Sequence, residues 1–182
     1  MKRLIPIVLM FGIILSSCKN SVTYRFEIPK LDGFSVYDYI SSENFEFMRI
    51  GEVAIVPQIK SVRYKTVNDK THIVYAIYIS AYAIQETENL FIKDISISIS
   101  GDSLKLEKRS FPLELTLESD SDNKLFEDNL IVAEFCDENI LESINDDFSL
   151  IVSLEYDYME EVLNKEVNFD FAIESYKRPI MR

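Results

Sequence analysis

The chain has few of the residues on which most catalytic and cofactor chemistry depends. Its 182 residues include one histidine, two cysteines, four glycines and no tryptophan. A structural zinc site draws on several His and Cys, and a Ser/His/Asp mechanism needs a positioned His, so both would have to use His72. We expect His72 to be an ordinary polar residue at a strand start, just after a hairpin turn. Four glycines leave no room for a glycine-rich phosphate loop. The sequence therefore predicts a non-enzymatic protein without a cofactor.

Basic residues are scarce relative to acidic ones. There are 19 Lys and Arg against 31 Asp and Glu, a formal net charge of −12. Nucleic acids and anionic lipid head groups are bound by clusters of Lys and Arg. The nearest approach to such a cluster is Lys177, Arg178 and Arg182 at the chain end. We therefore expect no nucleic-acid partner.

No apolar run reaches the roughly 20 residues that a membrane-spanning helix needs. The N-terminal run covers residues 4–15 and follows the positive charges of Lys2 and Arg3. Small residues come next and lead into Cys18. This order is typical of a cleaved export signal.

The stretch Leu15-Ser16-Ser17-Cys18 resembles the lipobox of bacterial lipoproteins. The resemblance implies that residues 1–17 are removed as a signal peptide and that Cys18 is acylated. Residues 18–21 would then be the lipidated cysteine and a short tether, with the membrane as one partner. Two or more acyl chains anchor stably, at about 0.8 kcal/mol per buried CH₂. An ordinary cleaved signal with an incidental cysteine is the alternative.

Lys19 follows the cysteine at a position where aspartate would indicate retention in the inner membrane of enterobacteria. The expected location is therefore the bacterial cell envelope, with the outer membrane or cell surface favoured. Acylation of Cys18 would leave Cys136 without a disulfide partner. Its neighbours Glu134 and Asp137 are anionic, which disfavours a reactive thiolate, so we predict a small buried side chain at a strand end.

Alternating apolar and polar residues predict that most of the remaining chain forms strands. Residues 71–84 are apolar on both faces, which is typical of a central strand, and they should pair with residues 59–67 in a hairpin around residues 68–70. Residues 34–40 have mixed periodicity and could be an irregular strand or a turn of helix. Pro57 indicates an edge strand or a bulge. The other predicted strands are residues 22–28, 45–50, 53–57, 95–99, 113–117, 130–135, 148–158 and 167–173.

The last two strands should pair as a hairpin across a loop at residues 159–166. Asp137 is a predicted N-cap, followed by a short helix whose apolar stripe is Ile140, Leu141 and Ile144. Strand spacing and alternation predict an all-β domain over residues 22–178, with a tail at residues 179–182. We expect an antiparallel two-sheet, immunoglobulin-like β-sandwich with one short helix. A lipocalin-like β-barrel is the alternative.

Two groups of side chains are candidate binding sites. Tyr78, Tyr82, Tyr156 and Tyr158 recur at strand spacing and predict an aromatic ligand surface, because exposed aromatic patches mark interaction sites. The competing interpretation is that they pack a core edge with the hydroxyl groups in water.

The second group is a weak calcium candidate formed by Glu118, Asp120, Asp122 and Asp128, since Ca²⁺ binds carboxylate oxygens. The EF-hand pattern fails, because Ile131 stands where its bidentate Glu would be. A solvated acidic loop is the competing interpretation.

The leader, the compact β domain and the lack of catalytic motifs predict a lipid-anchored, non-enzymatic binding or assembly module of the cell envelope. Its further partner would be an envelope protein or an extracellular ligand. Two alternatives remain open. One is an extracytoplasmic hydrolase that uses a pair of carboxylates, which sequence cannot locate. The other is a carrier of apolar ligands, if the domain is a closed barrel.

Overall fold

A computed structural model shows an all-β chain built from two antiparallel sheets, as the sequence predicts. The structure describes residues 20–68, 70–84, 90–99, 102–119, 126–137, 148–158 and 161–179. The strands within these residues are β1 (Asn20–Glu27), β2 (Arg49–Ile50), β3 (Val53–Val67), β4 (Lys70–Ala83), β5 (Leu90–Ile99), β6 (Asp102–Ser103), β7 (Glu107–Lys108), β8 (Leu113–Leu115), β9 (Glu118–Ser119), β10 (Phe126–Cys136), β11 (Phe148–Tyr158) and β12 (Glu161–Pro179).

The first sheet has the strand order β1-β12-β11-β5-β6, and β8 also pairs with β5. The second has the order β2-β3-β4-β10-β7, and β9 also pairs with β10. At one margin the chain passes from β8 in the first sheet to β9 in the second. At the other margin β1 and β3 lie in contact. Because β2 pairs with β3 only at Val53 and Ala54, most of β3 faces this margin as an edge strand.

Aromatic rings from the two sheets meet in the core. Phe26 of β1 lies 5.2 Å from the ring of Tyr75 on β4 and 5.9 Å from that of Phe135 on β10. Phe148 of β11 lies 5.2 Å from Phe26 and 6.3 Å from Phe135. All four residues are buried. One apolar cluster therefore includes side chains from both sheets.

The hairpin predicted around residues 68–70 is confirmed, with β3 and β4 paired from Val67 opposite Lys70 onward. The strand β4 lies between β3 and β10, so its predicted central position is also confirmed. Residues 53–57 and 59–67 form one continuous strand. Proline lacks a backbone donor, and Pro57 is accommodated because β3 is an edge strand at that level.

The final hairpin is confirmed, with β11 and β12 paired from Phe148 opposite Phe171 to Tyr158 opposite Glu161. The predicted loop at residues 159–166 is wrong from residue 161 onward, where β12 has already begun. These residues are mostly polar and exposed, so they lack the apolar alternation that marks a half-buried strand. The backbone hydrogen bonds of a ladder do not need that alternation.

The strand predicted at residues 95–99 is confirmed and begins earlier, at Leu90. The register with β11 shifts by one residue between Ile92 and Asp94, which is a β-bulge. The bulge moves the buried positions from even to odd numbers, so Leu90 and Ile92 face the core together with Ile95. A strict period of two cannot show this continuity.

The α-helix α1 (Val36–Ser41) and two 3-10 segments, Pro29–Leu31 and Glu43–Met48, separate β1 from β2. The strand predicted at residues 45–50 is therefore wrong except for Arg49–Ile50. Phe45 and Met48 are both buried, at the spacing of three that suits a 3-10 turn. The helix predicted after Asp137 falls at residues 138–147, outside the described residues. No helix in the part of the chain that the structure describes is long and apolar enough to cross a membrane.

Candidate functional site

A groove of about 520 Å³ lies at the margin where β1 and β3 meet. Its apolar lining includes Phe26, Ile59 and Phe171, which come from β1, β3 and β12. Charged side chains of both signs line it as well, among them Glu27 and Lys60. This volume and mixture are typical of sites that bind small molecules or a partner's side chains.

Residues 28–39 close one side of the groove and are held in place by local hydrogen bonds. The hydroxyl of Tyr39 on α1 donates to the backbone oxygens of Leu31 at 3.1 Å and of Phe34 at 3.2 Å, one bond at a time. Burial and, second, the negative charge of Asp38 raise the pKa of Tyr39, which further favours the protonated form that donates these bonds.

The start of α1 is fixed by a capping box. The Asp38 carboxylate accepts a hydrogen bond from the Ser35 amide at 2.7 Å, and the Ser35 hydroxyl accepts one from the Asp38 amide at 3.4 Å. The Ser35 hydroxyl also donates to the Asp38 carboxylate at 2.6 Å, and this bond and, second, the one from the Ser35 amide lower the pKa of Asp38. Together with the Tyr39 bonds, the capping box makes this wall of the groove preformed.

Two large aromatic residues are exposed beside the groove. Phe34 is 49% exposed and Tyr37 is 51% exposed, and both belong to the segment that includes the groove residues Gly33 and Tyr39. The ring of Phe34 packs edge-on against buried Phe45 at 4.9 Å. Aromatic side chains next to a concave surface are enriched at protein interfaces.

A second group of functional side chains lies at one end of the second sheet. The Nδ1 atom of His72 is 3.0 Å from Oδ1 of Asp137, and the Cys136 sulfur is 3.9 Å from the same oxygen. One donor atom from each residue lies within 4.8 Å of the other two. His72 is 9% exposed and Asp137 is 7% exposed, so the pair is largely removed from solvent.

Strand register brings these three residues together. The strands β4 and β10 are antiparallel, so the start of one lies beside the end of the other, and Cys136 pairs with Val74. His72 is two residues from Val74 and therefore shares its face of the sheet. Asp137 follows directly after β10.

Cationic side chains from β3 lie near the thiol. A small cavity next to Cys136 is also lined by Arg63 and Lys65. Arg63 forms a bidentate ion pair with Glu134, and the Lys65 ammonium is 3.7 Å from Glu107. The thiol therefore has balanced pairs of charges around it, whereas its sequence neighbours alone suggest an anionic setting.

A buried hydroxyl group lies within electrostatic reach of the cluster. Tyr24 is 3% exposed, and within the described structure its hydroxyl has no hydrogen-bond partner. Burial and, second, the negative charge of Asp137 raise the pKa of Tyr24. The backbone amide of Tyr24 donates to the hydroxyl of Tyr75 at 2.8 Å, which ties β1 to β4.

The four tyrosines of the predicted ligand surface do not lie together. Tyr78 and Tyr82 are half-buried on one face of β4. Tyr82 packs against the apolar core cluster, and the Lys60 ammonium is 5.3 Å from the Tyr78 ring centre. Tyr156 belongs to the other sheet and is buried in the core. The side chain of Tyr158 lies outside the described part of the structure. A ligand surface at Tyr78 and Tyr82 stays a prediction.

The acidic group proposed for calcium is described only in part. Glu118 is exposed in β9, and the Asp128 carboxylate accepts the backbone amides of Thr116 at 2.9 Å and Asn129 at 2.6 Å. Asp120 and Asp122 lie outside the described residues, as does Cys18 of the lipobox-like leader. The calcium site and the acylation of Cys18 stay predictions.

The sequence pattern by itself does not place His72 beside Cys136. The predicted positions, one after a hairpin turn and one at a strand end, are confirmed, but Cys136 is half-buried and not the buried side chain that the sequence predicts. The missing step was the pairing of β4 with β10, which are separated by more than forty residues. One feature of the sequence could have indicated the cluster, because the only histidine and one of the two cysteines both stand at ends of predicted strands.

No model of a known protein family matches the sequence, and a search of the curated proteins finds no match.

Proposed function

We propose that the chain is a lipid-anchored protein of the bacterial cell envelope that binds a partner protein non-enzymatically through the groove between β1 and β3. The observation that carries the binding role is the preformed groove with Phe34 and Tyr37 exposed at its side. Aromatic side chains of this kind contribute most of the energy in many protein interfaces. The strongly acidic composition argues against a polyanionic partner.

The anchor rests on the resemblance of residues 15–18 to a lipobox. In this proposal Cys18 carries the acyl chains and the outer membrane or cell surface is the location. The strand β1 begins at Asn20, two residues after Cys18, so the folded domain would lie close to the membrane surface. A partner held there would itself be an envelope component or an extracellular protein.

We further propose that the two sheets form an immunoglobulin-like sandwich rather than a lipocalin-like barrel. The rings of Phe26, Tyr75, Phe135 and Phe148 support this arrangement, because they occupy the space between the sheets. An apolar ligand carrier would need that space to be hollow.

The anchor is tested by membrane fractionation of cells that produce the chain with Cys18→Ala. The wild-type chain should incorporate labelled palmitate and sediment with the envelope. The variant should lose the label and move to the soluble fraction. Envelope association that Cys18→Ala leaves unchanged would refute the lipid anchor.

The groove is tested by site-specific photo-crosslinking in cells, with benzoylphenylalanine in place of Gln58. This residue lines the groove, while Tyr64, on the same strand, is exposed outside it and is the matched control position. We expect one discrete protein adduct from position 58 and none from position 64. The adduct should be lost when Phe34→Ala and Tyr37→Ala are combined. Equal adducts from both positions, or an adduct that this double substitution leaves unchanged, would contradict groove binding.

A further inference from the structure

The His72–Cys136–Asp137 cluster has a geometry that suits a metal ion better than a proton relay. In a nucleophilic Cys-His-Asp relay the carboxylate and the thiol contact opposite nitrogens of the imidazole ring. Here the thiol and His72 Nδ1 both approach the same oxygen, Oδ1 of Asp137, at 3.9 and 3.0 Å. The three donor atoms therefore converge on a common region instead of forming a line.

We propose that His72, Cys136 and Asp137 bind a zinc ion. Imidazole nitrogen, thiolate sulfur and carboxylate oxygen are the three donor types that Zn²⁺ uses in proteins, at about 2.0–2.3 Å. Tetrahedral geometry at those lengths separates the donors by roughly 3.3–3.8 Å. The donors already lie within 4.8 Å of one another, so small side-chain rotations close the site.

Zinc binding balances the charges of this cluster. The thiol loses its proton to solvent and binds as thiolate, and the metal takes the place of the hydrogen bond between His72 and Asp137. Two anionic ligands and one neutral imidazole then neutralise the 2+ charge. Arg63 and Lys65, which line the small cavity next to Cys136, are themselves paired with Glu134 and Glu107, so they leave no net charge that repels the ion.

Three protein ligands leave the fourth tetrahedral position for a water molecule or a further donor. A cavity of about 20 Å³ next to Cys136 has the volume of a single water molecule, so there is room for such a ligand beside the thiolate.

The test uses the full chain with Cys18→Ala, in which Cys136 is the only thiol, and cobalt(II) as a spectroscopic substitute for zinc. We expect one Co²⁺ per chain, a thiolate-to-cobalt charge-transfer band in the near ultraviolet, and visible bands typical of tetrahedral coordination. Added Zn²⁺ should remove these bands, while excess Mg²⁺ should not, because Mg²⁺ prefers oxygen ligands. Cys136→Ser and His72→Gln should each weaken binding at least about 100-fold.

Glu127→Gln is the matched control, because Glu127 is an exposed acidic residue of the same strand, β10, and contributes no donor atom to the cluster. It should leave the cobalt spectrum unchanged. Cobalt bound without a charge-transfer band, or lost equally in Glu127→Gln, would mean that surface carboxylates hold the ion, and the proposal would be wrong.

A second measurement avoids any folding defect in the variants. The rate at which iodoacetamide alkylates Cys136 is measured with the cluster intact, with and without Zn²⁺. Zinc should slow alkylation about tenfold or more, because the thiolate lone pair is then bound to the metal, and a chelator should restore the rate. An alkylation rate that saturating zinc leaves unchanged would overturn the proposal.

Discussion

The contact between Phe26 and Phe135 joins the two sheets and can be measured by a double-mutant cycle. Phe26 belongs to β1 and Phe135 to β10, and their ring centres are 5.9 Å apart with the planes at 90°. We expect that Phe26→Leu and Phe135→Leu each destabilise the fold, and that the double variant loses less than the sum of the two. The difference is the energy of the ring contact between the sheets.

The magnitudes follow from burial and ring geometry. Both residues are no more than 9% exposed, and Phe→Leu keeps most of the apolar surface, so each single change should cost about 1–2 kcal/mol, below the 3–5 kcal/mol typical of Phe→Ala. An edge-to-face pair contributes about 0.5–1.5 kcal/mol beyond burial, which is the expected coupling energy. A domain with the usual stability of about 5–15 kcal/mol remains folded in all variants.

The assay is urea unfolding of the four proteins, with the slope of unfolding free energy against urea checked for constancy. The control cycle combines Phe135→Leu with Phe45→Leu. Phe45 is also buried, but its ring contacts Phe34, Tyr39 and Phe47 instead. The control pair should be additive within about 0.5 kcal/mol. If the Phe26–Phe135 cycle were equally additive, the rings would not be in contact and the packing of the sheets described above would be wrong.

Local contacts at three positions give further measurable effects. Ser35→Ala removes the hydroxyl cap of α1 and should cost about 1 kcal/mol in urea unfolding, whereas no loss would contradict the capping box. Because the pKa of Tyr24 is raised in the folded state, Tyr24 contributes free energy of unfolding that is fully present below its ordinary pKa of 10.0 and is lost as pH rises through the folded pKa. Tyr24→Phe should remove this contribution to the alkaline loss of stability. Burial lowers the pKa of Lys165 from its ordinary 10.5, so the unfolded state binds its proton more tightly. Stability should therefore gain a contribution that rises with pH between the lowered pKa and 10.5, and Lys165→Met should abolish it. Unfolding free energies at several alkaline pH values check both, and variants with unchanged slopes would refute them.

The regular hairpins could be predicted from the sequence because their signals are local. The strand β4 is apolar on both faces, as a central strand is, and a polar turn precedes it. Period-two alternation reports which face of a strand is buried, and it located β11, where buried residues alternate with half-buried ones from Phe148 to Tyr156.

Elements that depend on non-local contacts could not be predicted. The exposed start of β12 is a strand because it pairs with β11, and its own side chains carry no sign of that pairing. The contact between β1 and β3, which forms the groove, joins two segments whose own patterns do not indicate each other. Neither groove nor cluster was predicted, because both are properties of the sheet arrangement rather than of one strand.

One-residue bulges explain why the His72–Cys136–Asp137 cluster could not be predicted from the sequence. Before the bulge in β10, Ile131 pairs with Tyr78, and after it Ala133 pairs with Ile77. Continued without the extra residue, the first register would place Cys136 opposite Ile73. Ile73 faces the core, and directly opposite residues in an antiparallel pair share a face.

The bulge instead places Cys136 opposite Val74, on the face that carries His72. A matching bulge in β3, between Ser61 and Arg63, turns Arg63 to the same face opposite Val74. The histidine, the thiol and the nearby guanidinium therefore share a surface only because both neighbours of β4 gain one residue, β10 opposite residues 77–78 and β3 opposite residues 74–75. A bulge re-aims side chains at the expense of a regular ladder. Two of them, both beside the one cluster of metal-binding donors found in the described residues, favour a role for this end of the sheet beyond packing.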